Sequence, residues 1–126
     1  MKLQTLMVIK AAVCVVFGPI LLFWPDPLLT LLGSSFGPGA AITAREYGAA
    51  LMGNFVLTWF ARNAEESVAR RAIVLDLFVY DAIAFFAMLL IQLSGGLNLL
   101  GWCIVAIYLF FGIGFGYFLL PRHRVA

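Results

Sequence analysis

Five ionisable side chains, Lys10, Arg45, Glu46, Asp76 and Asp81, stand within stretches of chain otherwise fit for lipid. An ionisable group at membrane depth costs from about 2.5 kcal/mol upward at mid-bilayer, so each requires a partner, a route to water or a task. The chemistry open to them is narrow. They can form an ion pair between helices, donate a hydrogen bond from a protonated acid, or carry a proton or cation across the bilayer. Asp81 is the deepest case. It lies 12 residues before Leu93, roughly 18 Å of helix and hence near the centre of a bilayer.

Counting depth along each run predicts the partners. Lys10 lies seven residues past Leu3, roughly 10 Å in. Asp76 lies five residues past Arg71, about 7.5 Å in from the same side. The matching depths predict a Lys10–Asp76 ion pair. Asn54 is 13 residues past Ala41, about 19.5 Å deep, so Asn54 is expected to meet Asp81. Desolvation favours the neutral acid, so Asp81 is expected to be protonated and to donate. Glu46 opens a polar stripe through Ala50, Asn54 and Thr58 at steps of four, expected to face the bundle interior because lipid offers it no partners. Arg45, about 100° around the helix from Glu46, snorkels to the headgroups. Asp81 is thus read either as a fastening between helices or as the coupling carboxylate of a small proton-coupled transporter.

Catalytic chemistry is not written here. The one histidine, His123, lies near the C-terminal end and cannot complete a Ser-His-Asp set with carboxyls at mid-membrane. The carboxyls show no Glu-x-x-His pattern, so no metal is expected. Cys14 and Cys103 form no Cys-x-x-Cys pair and read as small hydrophobes. The sequence Gly-Ile-Gly-Phe-Gly, residues 112–116, neither follows a strand nor opens a helix, so it is not a nucleotide loop.

The elements that must position these groups follow from composition. Of 126 residues, 64% are hydrophobic and 11% charged, where a soluble domain has roughly 45–50% and 25%. Mean hydropathy is +1.06. A soluble domain of this size could not hide that much apolar surface. Four runs reach the roughly 20 residues a membrane crossing requires. The sequence therefore predicts an all-α, polytopic bundle of four transmembrane helices in one integral membrane domain, 1–126, with helices at about 3–24, 41–61, 64–93 and 99–120. The first run lacks a small-residue cleavage site and is read as a retained helix. Pro25 and Pro27 stop it, and the apolar loop after it is expected to lie along the membrane surface as a helical turn. Asn63 with Glu66 three residues on reads as a helix N-cap, and Glu66 with Arg70 as a pair one turn apart.

Seven of the eight basic residues, all but Arg45, fall on one side of this layout. Basic loops stay in the cytoplasm, so both termini are expected inside a plasma membrane. Trp24, Tyr47 and Trp102 would then mark the outer interface, and Trp59 and Tyr117 the inner one. His123, between Arg122 and Arg124, falls in a solvated tail that attracts anionic lipid. A net charge of +2 without a basic, aromatic-laced patch argues against nucleic acid. Small residues at Ala49 and Gly53, and at Gly112 and Gly116, predict faces on which helices approach closely, within one chain or across a homo-oligomer.

The stretches FWPDPLLTLLG, residues 23–33, and REYGAALMGNFVLTWFAR, residues 45–62, are similar to the small four-helix bacterial membrane proteins of the DoxX-like kind. In these a first helix ends in proline, a short apolar loop ends in glycine, and a second helix opens with a polar residue before Gly-Ala. The resemblance covers the first half of the chain and implies a four-helix membrane bundle. Some members are linked to quinone-coupled redox complexes; no functional residue carries over. Size and helix count are also similar to the small multidrug and fluoride exporters, but the first-helix glutamate of the former and the glycine- and asparagine-rich motifs of the latter are absent. The expected function is a non-enzymatic accessory or scaffold subunit of a membrane complex, binding lipid, quinone or pigment between helices. Twelve phenylalanines and the small-residue seams favour that reading. The alternative is the proton-coupled transporter built on Asp81.

Overall fold

The computed structural model describes residues 1–34 and 37–120. Among them lie five α-helices and no strand: α1 (Leu3–Phe23), α2 (Pro25–Leu31), α3 (Pro38–Ala61), α4 (Val68–Leu93) and α5 (Gly101–Phe118). Helices α1, α4 and α5 are long and apolar enough to cross a membrane. Helix α3, with 24 residues, falls within their range of 18 to 26, but Arg45, Glu46 and Asn54 lower its apolar character. Phenylalanines and branched side chains such as Phe60, Ile83, Phe86, Leu90 and Ile113 point outward along the long helices.

Boundaries follow local chemistry. α1 ends where Pro25 cannot continue it, and the same proline then opens α2, since its fixed φ suits a first helical position. α4 starts four residues later than the Asn63 signature suggests. Ser67 is the residue in extended conformation, and its Oγ accepts from the Arg70 amide at 3.1 Å. Asn63 instead accepts from Gln4 Nε2 at 2.6 Å, tying the start of α1 to the end of α3. The Glu66–Arg70 pair forms, at 2.7 Å.

The helices pack as two pairs. α1 lies along α3 and α4 along α5, and between the pairs the backbones come close chiefly where α1 passes α5. At one end all four long helices share a core of Leu3, Leu6, Met7, Ala61, Val74, Leu77, Phe111 and Phe115. At the other end Cys14, Leu21, Ala44 and Leu51 of the first pair form a separate cluster, joined by Leu28 and Leu29 of α2. α2 is tied down from across the molecule. The Asn98 amide donates to the Leu32 carbonyl at 2.9 Å and its side chain to the Leu31 carbonyl at 2.7 Å.

The close approach within the first pair runs through Gly18 and Gly48. A Cβ on Gly48 would fall 2.6 Å from the Leu22 amide nitrogen and 2.7 Å from the Gly18 carbonyl oxygen. Ala49 and Gly53, the expected seam, face outward, and nothing lies within 4 Å of a Cβ built on Gly53. One residue is about 100° of helix, and that displacement moves the seam off the contact face. In the second pair Gly112 faces the backbone at Asp81 and Ala82, and Gly116 the ring of Phe78.

Candidate functional site: a cavity between the helix pairs

The polar groups that sequence counting distributed among four partners converge differently. Lys10 Nζ donates to Asp81 Oδ1 at 2.6 Å, with the two side chains 3% and 0% exposed. Asp81 therefore accepts a bond from a cation instead of donating one to an amide. Asp76, the expected partner of Lys10, is on the exposed face of α4. Asn54, the expected partner of Asp81, donates to the carbonyl of Ala50 in its own helix at 3.2 Å. The reason is stagger. Leu3 lies beside Val74, and Lys10 and Asp81 each stand seven residues further along helices running the same way. Depth counted from the end of each run missed that offset.

The polar stripe on α3 also turns. Glu46 and Ala50 are exposed, and Thr58 is the one member fully buried, its hydroxyl donating to the Asn54 carbonyl at 2.7 Å. Arg45 is exposed beside Glu46. His123, Arg122 and Arg124 lie outside the described residues.

Two rings complete the ammonium's surroundings. Nζ of Lys10 stands 5.0 Å from the Tyr80 ring centre and 4.6 Å from that of Phe111, close enough for the negative ring faces to attract it. One turn further along α1, Cys14 is buried. Asp81 Oδ2 is buried with no hydrogen-bond partner.

Three phenols form a second polar knot. Tyr80 donates to Tyr47 at 2.7 Å, and Tyr47 shares a short hydrogen bond with Tyr108. These come from α4, α3 and α5, so this cluster ties the first helix pair to the second, as Lys10–Asp81 does. Tyr47 accordingly turns its hydroxyl into the bundle, where two other phenols hold it. Sequence reasoning passed over Tyr80 and Tyr108. The available signal was a phenol in the middle of an apolar run, where its hydroxyl must find a partner.

Above these two knots the pairs separate around a cavity of about 620 Å³. Lys10, Cys14, Tyr47 and Tyr108 line it near mid-helix, and Leu28, Leu29 and Leu32 close the end beneath α2. Its remaining wall is almost wholly aliphatic and aromatic, from Val13 and Phe17 to Ile104 and Ile107. From Lys10 to Leu21 the cavity follows α1 over 12 residues, about 16 Å of helix rise. A smaller cavity of about 350 Å³ sits at the charged end, among Lys2, Glu66, Arg70, Arg71 and Phe118. Among the described residues no three histidine, cysteine, aspartate or glutamate side chains gather as a metal site. Compared with known proteins, the chain matches no family model, no curated protein and no solved structure.

Proposed function

We propose that this is a non-enzymatic integral membrane protein that holds an apolar small molecule, of the lipid, quinone or pigment kind, between its two helix pairs. The observation that carries the reading is the cavity of about 620 Å³, apolar along its walls and polar only at Lys10, Cys14, Tyr47 and Tyr108 and at its α2 end. Ligand sites are typically about 300–1,000 Å³, mostly apolar, with a few placed polar groups. In this reading α3 spans the bilayer together with α1, against which it packs, giving four crossings with both termini in the cytoplasm. The bias of basic residues supports that orientation. α2 then lies at the outer surface as a cap over the cavity. The DoxX-like resemblance rests on residues 23–33 and 45–62, and fits an accessory or scaffold role in a larger membrane complex.

The test is extraction. Protein purified from its own membranes in mild detergent should yield a defined apolar compound in near-stoichiometric amount. Ala44→Phe, which fills the cavity from α3, should lose it while keeping the same helicity. Recovery of only bulk phospholipid, equal in both proteins, would contradict the proposal.

A second reading is favoured by one observation, the unpartnered Oδ2 of the fully buried Asp81. A carboxylate held on one oxygen and open on the other suits proton coupling in a small transporter. Reconstituted liposomes decide it: a proton-coupled flux lost in Asp81→Asn supports transport, and no flux with any tested gradient rejects it.

A further inference from the structure

The polar end of the cavity has a donor surplus that can be counted. Each phenol supplies one O–H. Three phenols share two hydrogen bonds, and the Tyr80 hydrogen is spent on Tyr47. When Tyr108 donates to Tyr47, Tyr47 keeps an O–H for the cavity; when Tyr47 donates, the Tyr108 O–H is shared between Tyr80 and the cavity that both Tyr47 and Tyr108 line. Lys10 adds an ammonium with three N–H bonds, of which one goes to Asp81, while Nζ stands 5.0 and 4.6 Å from the Tyr80 and Phe111 ring centres. The Cys14 thiol is a further weak donor. No anionic side chain lines the cavity, since Asp81 stands behind Lys10.

We infer that the cavity receives an elongated apolar molecule whose polar end is a neutral carbonyl, seated against Lys10 and the Tyr47–Tyr108 phenols. This rests on reading the cavity as a ligand site. An ammonium head would be repelled by Lys10. A carboxylate would add an uncompensated charge beside a pair that is already neutral, at a depth where desolvation penalises charge. A plain hydrocarbon would leave the spare donors without an acceptor. A ketone, aldehyde or ester oxygen accepts from them and brings no charge.

Native mass spectrometry of the protein released from micelles counts bound ligands, so four probes of equal chain length can be compared: 2-tridecanone, n-tridecane, tridecylammonium and tridecanoate. The ketone should outbind the alkane by about two- to tenfold, the worth of one net hydrogen bond, and should outbind both charged probes. Tyr108→Phe should keep most of that advantage, because Tyr47 then retains the free O–H. Tyr47→Phe with Tyr108→Phe should reduce it. The infrared band of a ¹³C-labelled carbonyl should fall below its frequency in the bilayer on binding to the wild-type protein, a readout needing no variant. Equal binding of ketone and alkane, tighter binding of either charged probe, an unshifted band, or an undiminished advantage in the double variant would overturn the head-group assignment alone. Binding of none of the four would overturn the ligand-site reading and this inference together.

Discussion

Replacing Asp81 by asparagine keeps the side chain's shape and removes the one anion facing Lys10. In the native protein both groups are withdrawn from solvent, at 0% and 3% exposure, and held 2.6 Å apart. Breaking a buried pair by removing one partner costs about 3–5 kcal/mol, because the other charge stays buried and uncompensated. The rings of Tyr80 and Phe111 stand beside Lys10 with or without the aspartate and so leave that difference unchanged. Asp81→Asn should therefore destabilise by about 3–5 kcal/mol. Lys10→Met should cost as much or more, since it leaves Asp81 with no partner on either oxygen. Changing both, Lys10→Met with Asp81→Leu, replaces the pair by packing hydrophobes and should return to within about 1 kcal/mol of wild type. Asp76→Asn, on the exposed face, should stay within about 0.5 kcal/mol. Reversible unfolding in mixed micelles, followed by circular dichroism across an SDS titration, gives all four numbers. If Asp81→Asn cost no more than Asp76→Asn, or if the double variant cost the sum of the singles, the pairing would be wrong.

Other expectations concern the frame around this pair. Gly48→Ala should destabilise by about 1–3 kcal/mol by forcing α1 from α3, whereas Gly53→Ala, with open space around it, should be neutral in the same titration. Ser67→Ala should cost about 1 kcal/mol by removing the cap of α4, and Asn63→Ala should leave the start of α4 in place, as amide exchange at Arg70 would show. A tag in the turn at 94–98 should be reached by a membrane-impermeant reagent only from outside the cell. Labelling there only after the membrane is opened would reverse the proposed topology.

How much was legible in the sequence depended on which physical quantity each feature needed. Three apolar runs declare themselves, because hydrocarbon demands about 20 apolar residues in a row and little else does. α3 was legible as a helix but is ambiguous as a crossing, since Arg45, Glu46 and Asn54 fall inside it. The buried groups Lys10 and Asp81 were legible as residues needing partners, but their pairing was not. A sequence gives depth from the ends of its own run, while contact depends on the stagger between α1 and α4, which packing at Leu3, Leu6, Val74 and Leu77 sets. Rotation is equally hidden. α3 carries small residues at Gly48, Ala49, Ala50 and Gly53, so composition could not tell that Gly48 meets α1 and Ala49 does not. The cavity was invisible for the same reason: it is a gap between helix pairs, and no run of residues encodes a gap.

In the proposed reading two helix pairs, fastened at Lys10–Asp81 and at the three phenols, flank a site for an apolar molecule. The most direct measurement is anomalous diffraction from crystals grown in a lipid mesophase with an ω-bromo long-chain ketone. The bromine peak is expected beneath α2, among Leu28, Leu29 and Leu100, with the carbonyl end toward Tyr108 and Lys10. Bromine peaks confined to the outer faces of the helices, with the two pairs closed on each other, would contradict it.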